Sequence, residues 1–380
     1  MNIYLTYNDA PSGIFKSQVI DRLQRIRQNG YAIQLVVFFA PVDFHQKKRE
    51  VLNWDSSAIV LKQLPGLRYW WINLIKLTPV VLRLKPKIII GRSVYATNLG
   101  LLLKKVNLVD KIVYDGRGAV TAECDEFKMV PFRWLLGIKS LESKSINQSD
   151  FQLAVSSALI KHWKSEFAYN KGTYAVLPCV YGESFEKVEL TTDNISHARQ
   201  TLGFSQEDTV ITYSGSLAGW QFKTGLEIQL AEWLKMSSHH KLFFLSKNHQ
   251  IIEDLKVLFP YQCEQRFVTP EEVPKYLIAA DYGLLVREKL ITNQVASPVK
   301  FAEYLSCGLQ VIISSEVGDF SEFVQSRNCG FVWDGPLNFP FLEKLNFADK
   351  VKTRELAIRF FSDNSTSMMT QVQKSVNQVD

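Results

Sequence analysis

Five cysteines in 380 residues (Cys124, Cys179, Cys263, Cys307 and Cys329) form no C-x-x-C pair and have no histidine at metal-ligand spacing. That pattern excludes a disulfide framework and a zinc site of ordinary spacing, and reads as reduced, mostly buried thiols. Phosphate loops are also missing. No G-x-x-x-x-G-K-[ST] occurs and no G-x-G-x-x-G follows the first apolar run, which sets aside a P-loop and argues against nicotinamide or flavin binding. Neither H-E-x-x-H nor G-x-S-x-G is present. The acidic triplet within "ECDE" (123–126) has no second carboxylate cluster to complete a shell, so no metal is expected.

Long apolar runs are lacking as well. The nearest approach to the roughly 20 residues of a spanning helix is "YWWINLIKLTPVVLRLKPK" (69–87), broken by Lys76, Pro79 and Arg83. It reads as a helix packed on a sheet, with an interfacial helix as the alternative. "MNIYLTY" enters a strand at once, without the basic and apolar regions of a signal peptide, so a cytoplasmic protein is expected.

What is present is an ordinary globular composition, 46% hydrophobic and 22% charged. The net charge of +6 is unevenly placed: residues 1–150 hold 22 Lys/Arg against 12 Asp/Glu, a net +10, and the remainder is net negative. A basic half suits an anionic membrane surface, a phosphate-bearing substrate or nucleic acid, or is simply a solvated surface. The basic residues are not interleaved with aromatics in a nucleic-acid module, so no nucleic acid is expected.

Short apolar runs at 2–7, 32–40, 87–91, 111–118 and 150–157 alternate with amphipathic segments, and a second set follows at 209–216, 241–246, 266–269, 282–287, 310–315 and 330–333. Near-continuous apolar strands separated by helices predict parallel sheets covered on both faces. The expected architecture is two Rossmann-like, doubly wound α/β domains, 1–185 and 186–350, followed by a helical segment at 351–380. Ligands of such folds bind at the carboxyl ends of the strands, so a cleft between the two domains is expected.

Several loops fall at those edges. In "SPVKFAEYLSCG" (297–308), Ser297 is a good N-cap and Pro298 suits the first helical position. Lys300 in the first turn opposes the helix dipole unless an anion sits there, and Glu303 shares its face; the plain alternative is an i,i+3 surface pair. "YSGSLAGWQFKTG" (213–225) contributes Gly215, Ser216, Gly219 and Lys223, and strand 282–287 ends in Arg287. In the first half, "YDGRGAVTAECDE" (114–126) gathers Asp115, Arg117 and Glu123, with Arg92 after "KIIIG" and Gly13 in "YNDAPSG" at the same edge. Solvated turns are the alternative for each.

Over roughly 205–335, "YSGSLAGWQ", "SPVKFAEYLSCGLQVIIS" and "GDFSEFVQSRNCGFVW" resemble the donor-binding half of bacterial family 4 glycosyltransferases of the GT-B fold, and "YDGRG" is similar to a segment of relatives that build surface polysaccharides. The resemblance implies that Glu303 hydrogen-bonds a nucleotide ribose and that the backbone of Ser297, Pro298, Val299 and Lys300 faces a diphosphate. The family's loop arginine is replaced by Ser216, Lys223 lies near the family lysine, and Arg287 is the candidate for the missing charge. The family's E-x7-E pair is broken at Val295, where Asn293 or Glu288 are candidate replacements. The implied activity is transfer from a nucleotide sugar to a lipid-linked capsule, O-antigen or exopolysaccharide glycan at the inner membrane face. It would retain configuration and need no cofactor or metal, with Asp115, Arg117 and Glu123 orienting the acceptor. A nucleotide-sugar epimerase of the same fold and a non-catalytic nucleotide-sugar-binding subunit are the alternatives.

Overall fold

A computed structural model describes residues 1–64, 66–217, 221–335, 339–362 and 365–377; Gly219 lies outside them. The chain divides into two compact units, Met1–Pro178 with Asp363–Asp380, and Cys179–Ser362.

The first unit is built on a seven-stranded sheet: β1 (Asn2–Tyr7), β2 (Ile33–Phe39), β3 (Ile59–Lys62), β4 (Ile88–Arg92), β5 (Lys111–Gly116), β6 (Phe151–Ala154) and β7 (Tyr174–Val176). Their order is β3-β2-β1-β4-β5-β6-β7, all parallel. Because side chains alternate along a strand, both faces bury apolar residues: Tyr4, Leu35, Val37 and Ile90 on one, Ile3, Leu5, Val36, Phe38 and Ile89 on the other. The first helical region closes at Asn29, with Gly30 at φ +84° just past its end.

The second unit carries six parallel strands, β8 (Thr209–Ser214), β9 (His240–Leu245), β10 (Cys263–Arg266), β11 (Tyr282–Leu285), β12 (Gln310–Ile313) and β13 (Gly330–Val332), in the order β10-β9-β8-β11-β12-β13. Val210, Phe243, Val311 and Ile313 fill one face and Ile211, Phe244, Leu284 and Ile312 the other. Deep in this unit Arg199 donates to both carboxylate oxygens of Asp281 at 3.0 and 2.9 Å, and Lys350 Nζ lies 3.5 Å from the same carboxylate.

The C-terminal segment is two helices that belong to different units. Phe347–Phe361 packs Ala357 and Phe361 into the second core, whereas Ser365–Asn377 buries Met368, Met369 and Val372 in the first. The compact units therefore change over at 178/179 and 362/363, where the sequence had suggested 185/186 and 350/351. In each sheet the winding reverses beside the central strand, between β1 and β4 and between β8 and β11, which is where open parallel sheets place ligands.

Candidate functional site

In the second unit the helix Val299–Ser306 stands at the β8/β11 reversal. Its apolar positions Phe301, Ala302, Tyr304 and Leu305 are buried, leaving Lys300 and Glu303 partly exposed. Tyr304 ties it to both strands: its hydroxyl accepts from the Ser214 N–H at 3.0 Å and donates to the Leu284 carbonyl at 3.4 Å. The ring crosses β11 at Gly283, where a Cβ would lie 2.3 Å from it, so only glycine admits this approach.

The helix start differs from the sequence expectation. Pro298, with extended ψ of 122°, is the residue before the helix and Val299 its first turn. Ser297 does not cap it; its hydroxyl accepts the Cys179 N–H at 2.9 Å, a partner 118 residues away.

Lys300 and Glu303 form no ion pair among the described residues, so the surface-pair alternative does not hold. The Lys300 ammonium lies 4.6 Å from the Tyr213 ring centroid and donates to Gln221 Oε1 at 2.9 Å. It packs on Gly215, whose φ of +117° already favours glycine and whose Cβ would fall 2.5 Å from Nζ. Burial, reinforced by the nearby Arg287 charge, draws the ammonium down to about 7, against the pull of Glu303. Burial likewise raises the Glu303 carboxyl to about 7, with Lys300 opposing. No hydrogen bond occupies that carboxylate among the described residues.

Arg287 follows β11. Its backbone N–H donates to Ser314 Oγ at 2.8 Å, and its Nη1 donates to Asn293 Oδ1 at 3.1 Å. Burial lowers its guanidinium to about 10, and Nε is buried with no hydrogen bond among the described residues. Asn293 is buried and donates back to the Glu288 carbonyl at 3.0 Å, so it serves as a brace for Arg287. Glu288 accepts the Thr224 N–H at 3.1 Å, and Val295 is buried. Lys223 is directed elsewhere: its Nζ donates to the Asp334 carbonyl at 2.5 Å. Ser216 is exposed, and its carbonyl accepts from the Tyr213 hydroxyl at 2.5 Å. Gly215 also lines a cavity of about 410 Å³, together with Ser216, Lys247, Asn248, His249 and Phe267. The sequence reading missed Tyr213, Gln221 and this cavity; the first two lie inside the quoted glycine-bearing stretch.

The first unit assembles a different constellation at its β1/β4 reversal. Asp115, 1% exposed at the end of β5, accepts from the Tyr4 hydroxyl, with Arg117 Nη1 3.4 Å and Arg92 Nη1 3.9 Å from its oxygens. Arg92 Nε also donates to Asp9 Oδ2 at 2.7 Å, and Arg117 Nη2 to Gln18 Oε1 at 3.3 Å. Burial alone pushes the Asp115 carboxyl up, but Arg117, Arg92 and Arg22 with the Tyr4 hydroxyl hold it below the ordinary carboxylate range. Gln18 comes from Lys16–Asp21, a stretch wound in wide π-type turns that directly precedes Arg22. Tyr4, Asp9, Gln18 and Arg22 gave no sequence signal, because each meets Asp115 or its arginines only through the fold.

Gly13 opens the short helix Gly13–Phe15, capped by Ser12 Oγ accepting the Phe15 N–H at 3.3 Å. Glu123 sits in the helix Val120–Glu126, where burial and then Glu126 raise its carboxyl, and no hydrogen bond or ion pair joins it to Asp115 among the described residues. That helix is held instead by the fully buried Glu142, which accepts the N–H groups of Val120 at 2.9 Å and Thr121 at 2.7 Å. Among the described residues, no three His, Cys, Asp or Glu side chains gather as a metal ion would need.

No protein-family model matches the chain, and no curated protein matches it in sequence. Solved structures do. A glycosyltransferase from Rickettsia africae aligns at TM-score 0.68 and 12% identity over 99% of this chain and 97% of its own. The Anabaena protein HepE, solved in complex with UDP and glucose, aligns at 0.67 and 14% over 100% of both chains. A UDP-GlcNAc 2-epimerase from Neisseria meningitidis, bound to UDP-GlcNAc, aligns at 0.60 and 14% over 98% of this chain and 100% of its own. The fold is GT-B, two parallel-sheet α/β domains of seven and six strands.

Proposed function

We propose that this chain is a glycosyltransferase whose second unit holds a nucleotide-sugar donor at the β8/β11 reversal. The observation that carries the reading is the grouping of two partly desolvated cations, Lys300 and Arg287, with Glu303, whose carboxylate has no hydrogen bond among the described residues, and with Lys300 packed on Gly215. Partly desolvated cations at a helix start gain most from a dianionic group, here the donor diphosphate, with the N–H groups of Val299 and Lys300 beside it. Glu303 accepts the ribose hydroxyls, and the cavity between Gly215 and Phe267 has room for the base. GT-B neighbours solved with UDP or a UDP-sugar are consistent with this use of the fold.

In the transfer step the bond between the sugar's anomeric carbon and the diphosphate oxygen breaks, and a bond to an acceptor hydroxyl oxygen forms. The acceptor's proton passes to the departing diphosphate. Lys300 and Arg287 stabilise the charge that grows on the leaving group. The resemblance to family 4 implies attack from the leaving-group face with retained configuration, without metal or cofactor. Lys223, expected from the sequence beside the diphosphate, donates to the Asp334 carbonyl and is assigned no step here. The acceptor belongs to the first unit, where the Asp115, Arg117 and Arg92 cluster orients a hydroxyl. By its sequence resemblance to family 4 enzymes of surface polysaccharide synthesis, the acceptor is a lipid-linked glycan at the inner face of the plasma membrane.

A second reading, a nucleotide-sugar epimerase, is favoured by the Neisseria likeness. A non-catalytic binding subunit is favoured by the buried Val295 where the family carries its sugar-contacting glutamate. A panel of nucleotide sugars incubated with the protein, with and without lipid-pyrophosphate-linked sugars, separates the three. Nucleoside diphosphate release and a lengthened glycan support transfer; a C2-epimerised sugar indicates the epimerase; binding without turnover indicates the subunit.

A further inference from the structure

The segment 69–87 does two things at once. Leu77, Val80 and Val81 face the core, as a sheet-packing helix requires. The opposite stripe, Trp71, Ile75, Pro79 and Leu82, follows helical spacing and is exposed, with Trp71 at 52%, Ile75 at 70% and Leu82 at 53%. Beside it, between the Leu67–Asn73 turns and the helix Phe132–Gln148, runs a groove of about 750 Å³ lined by Trp70, Trp134 and Leu141 together with Arg68, Arg133 and Lys144. Trp70 and Trp71 line an adjoining cavity with Lys105 and Lys144, which joins the exposed stripe to the groove.

Its charge is of one sign. The cations lining the two cavities, Arg68, Lys105, Arg133 and Lys144, meet no aspartate or glutamate among the lining residues. Exposed tryptophans and aliphatics interleaved with unopposed cations match the boundary of an anionic bilayer, where indole rings sit at headgroup depth and each lysine or arginine adds attraction to acidic lipid. Among the described residues no helix is long and apolar enough to cross a membrane, so contact would be interfacial.

We infer that this face of the first unit, the Trp71–Leu82 stripe and the groove beside it, docks on an anionic lipid bilayer with lipid chains entering the groove. This is independent of sugar transfer except that a lipid-linked acceptor would be delivered there.

The test is flotation of the full chain with vesicles of phosphatidylcholine and phosphatidylglycerol in equal parts, against phosphatidylcholine alone, with no donor or acceptor present. Failure here therefore leaves the transferase reading standing, and failure of transfer leaves this result standing. Binding is expected to the anionic vesicles, with quenching of tryptophan fluorescence by brominated lipid. Replacing Trp71→Ser with Ile75→Ser should lower the partition coefficient about a hundredfold, the factor that accompanies two buried apolar side chains. Arg68→Gln with Arg133→Gln should lower it about thirtyfold, near fivefold for each charge. All four side chains lie at the surface, so the thermal midpoint should hold. The proposal is overturned if wild type does not bind anionic vesicles at low salt or if both double variants bind like wild type. It is also overturned if the chain self-associates through this face, shown by a dimer that the Trp71→Ser, Ile75→Ser variant dissociates.

Discussion

Binding of a diphosphate at Lys300 should be coupled to a proton. In the free protein burial and Arg287 hold this ammonium at about 7; a bound dianion would restore it toward the ordinary lysine range of roughly 10.4. The group's pKa is thus higher in the bound state. Affinity is fully present below the free-state value and lost as pH rises from there toward the bound-state value. The loss approaches about tenfold, or about 1.4 kcal/mol, per pH unit, and reaches up to about fiftyfold between pH 7 and 9. Glu303 supplies the opposite limb: its carboxyl, raised by burial to about 7, must be ionised to accept ribose hydroxyls, so affinity falls on acidification below that value. The assay is titration calorimetry with the tightest binder among UDP, GDP, ADP and dTDP at pH 8, in buffers of different ionisation enthalpy. The terminal phosphate, with a pKa near 6, is then already ionised and does not contribute. Close to one proton should be taken up per nucleotide in wild type and none in Lys300→Met. Uptake that is absent in wild type, or unchanged in Lys300→Met, would refute the placement of the phosphates on Lys300.

Glu303→Gln should abolish the acidic limb of the affinity profile and weaken nucleotide binding by about 1–3 kcal/mol through the lost charged hydrogen bonds, read in the same titrations. Gly215→Ala drives a Cβ to 2.5 Å from Lys300 Nζ at φ +117°. It should cost about 1–3 kcal/mol in urea unfolding and weaken nucleotide binding as well. Asp281→Ala strands the buried Arg199 and Lys350 without their counter-charge; a loss of about 3–5 kcal/mol in denaturant unfolding is expected. Asp115→Asn should leave nucleotide affinity intact and reduce transfer in the glycan assay. Because the folded carboxyl titrates low, its stabilisation is present above the unfolded value of about 3.9 and lost on acidification below it. The variant's stability should therefore vary less with pH in that acidic range.

Much of the architecture was legible because a parallel sheet buried on both faces writes itself as continuous apolar runs. The strands that escaped notice are those that do not. β3 (Ile59–Lys62) is an edge strand with no fully buried residue, β7 has three residues, and β10 (Cys263–Arg266) is largely polar and precedes the 266–269 expected from its neighbours. At the site, Lys300 and Glu303 were legible from a charged face on a helix that otherwise buries itself. The roles of Ser297 and Lys223 were not, because their partners Cys179 and Asp334 lie 118 and 111 residues away. The same distance hid Tyr4 from Asp115, 111 residues apart in sequence. Local pattern fixes a cap or a loop charge only when no distant group competes for it.

If the β8/β11 reversal of the second unit holds a nucleoside diphosphate, a crystal structure with the nucleotide selected by the titrations will show where its phosphates sit. Phosphate oxygens are expected within hydrogen-bond distance of Lys300 Nζ and the Arg287 guanidinium, with the ribose hydroxyls on the Glu303 carboxylate. Phosphates bound instead at the Arg92, Arg117 and Arg22 cluster of the first unit, with Lys300 still on Gln221, would contradict that placement.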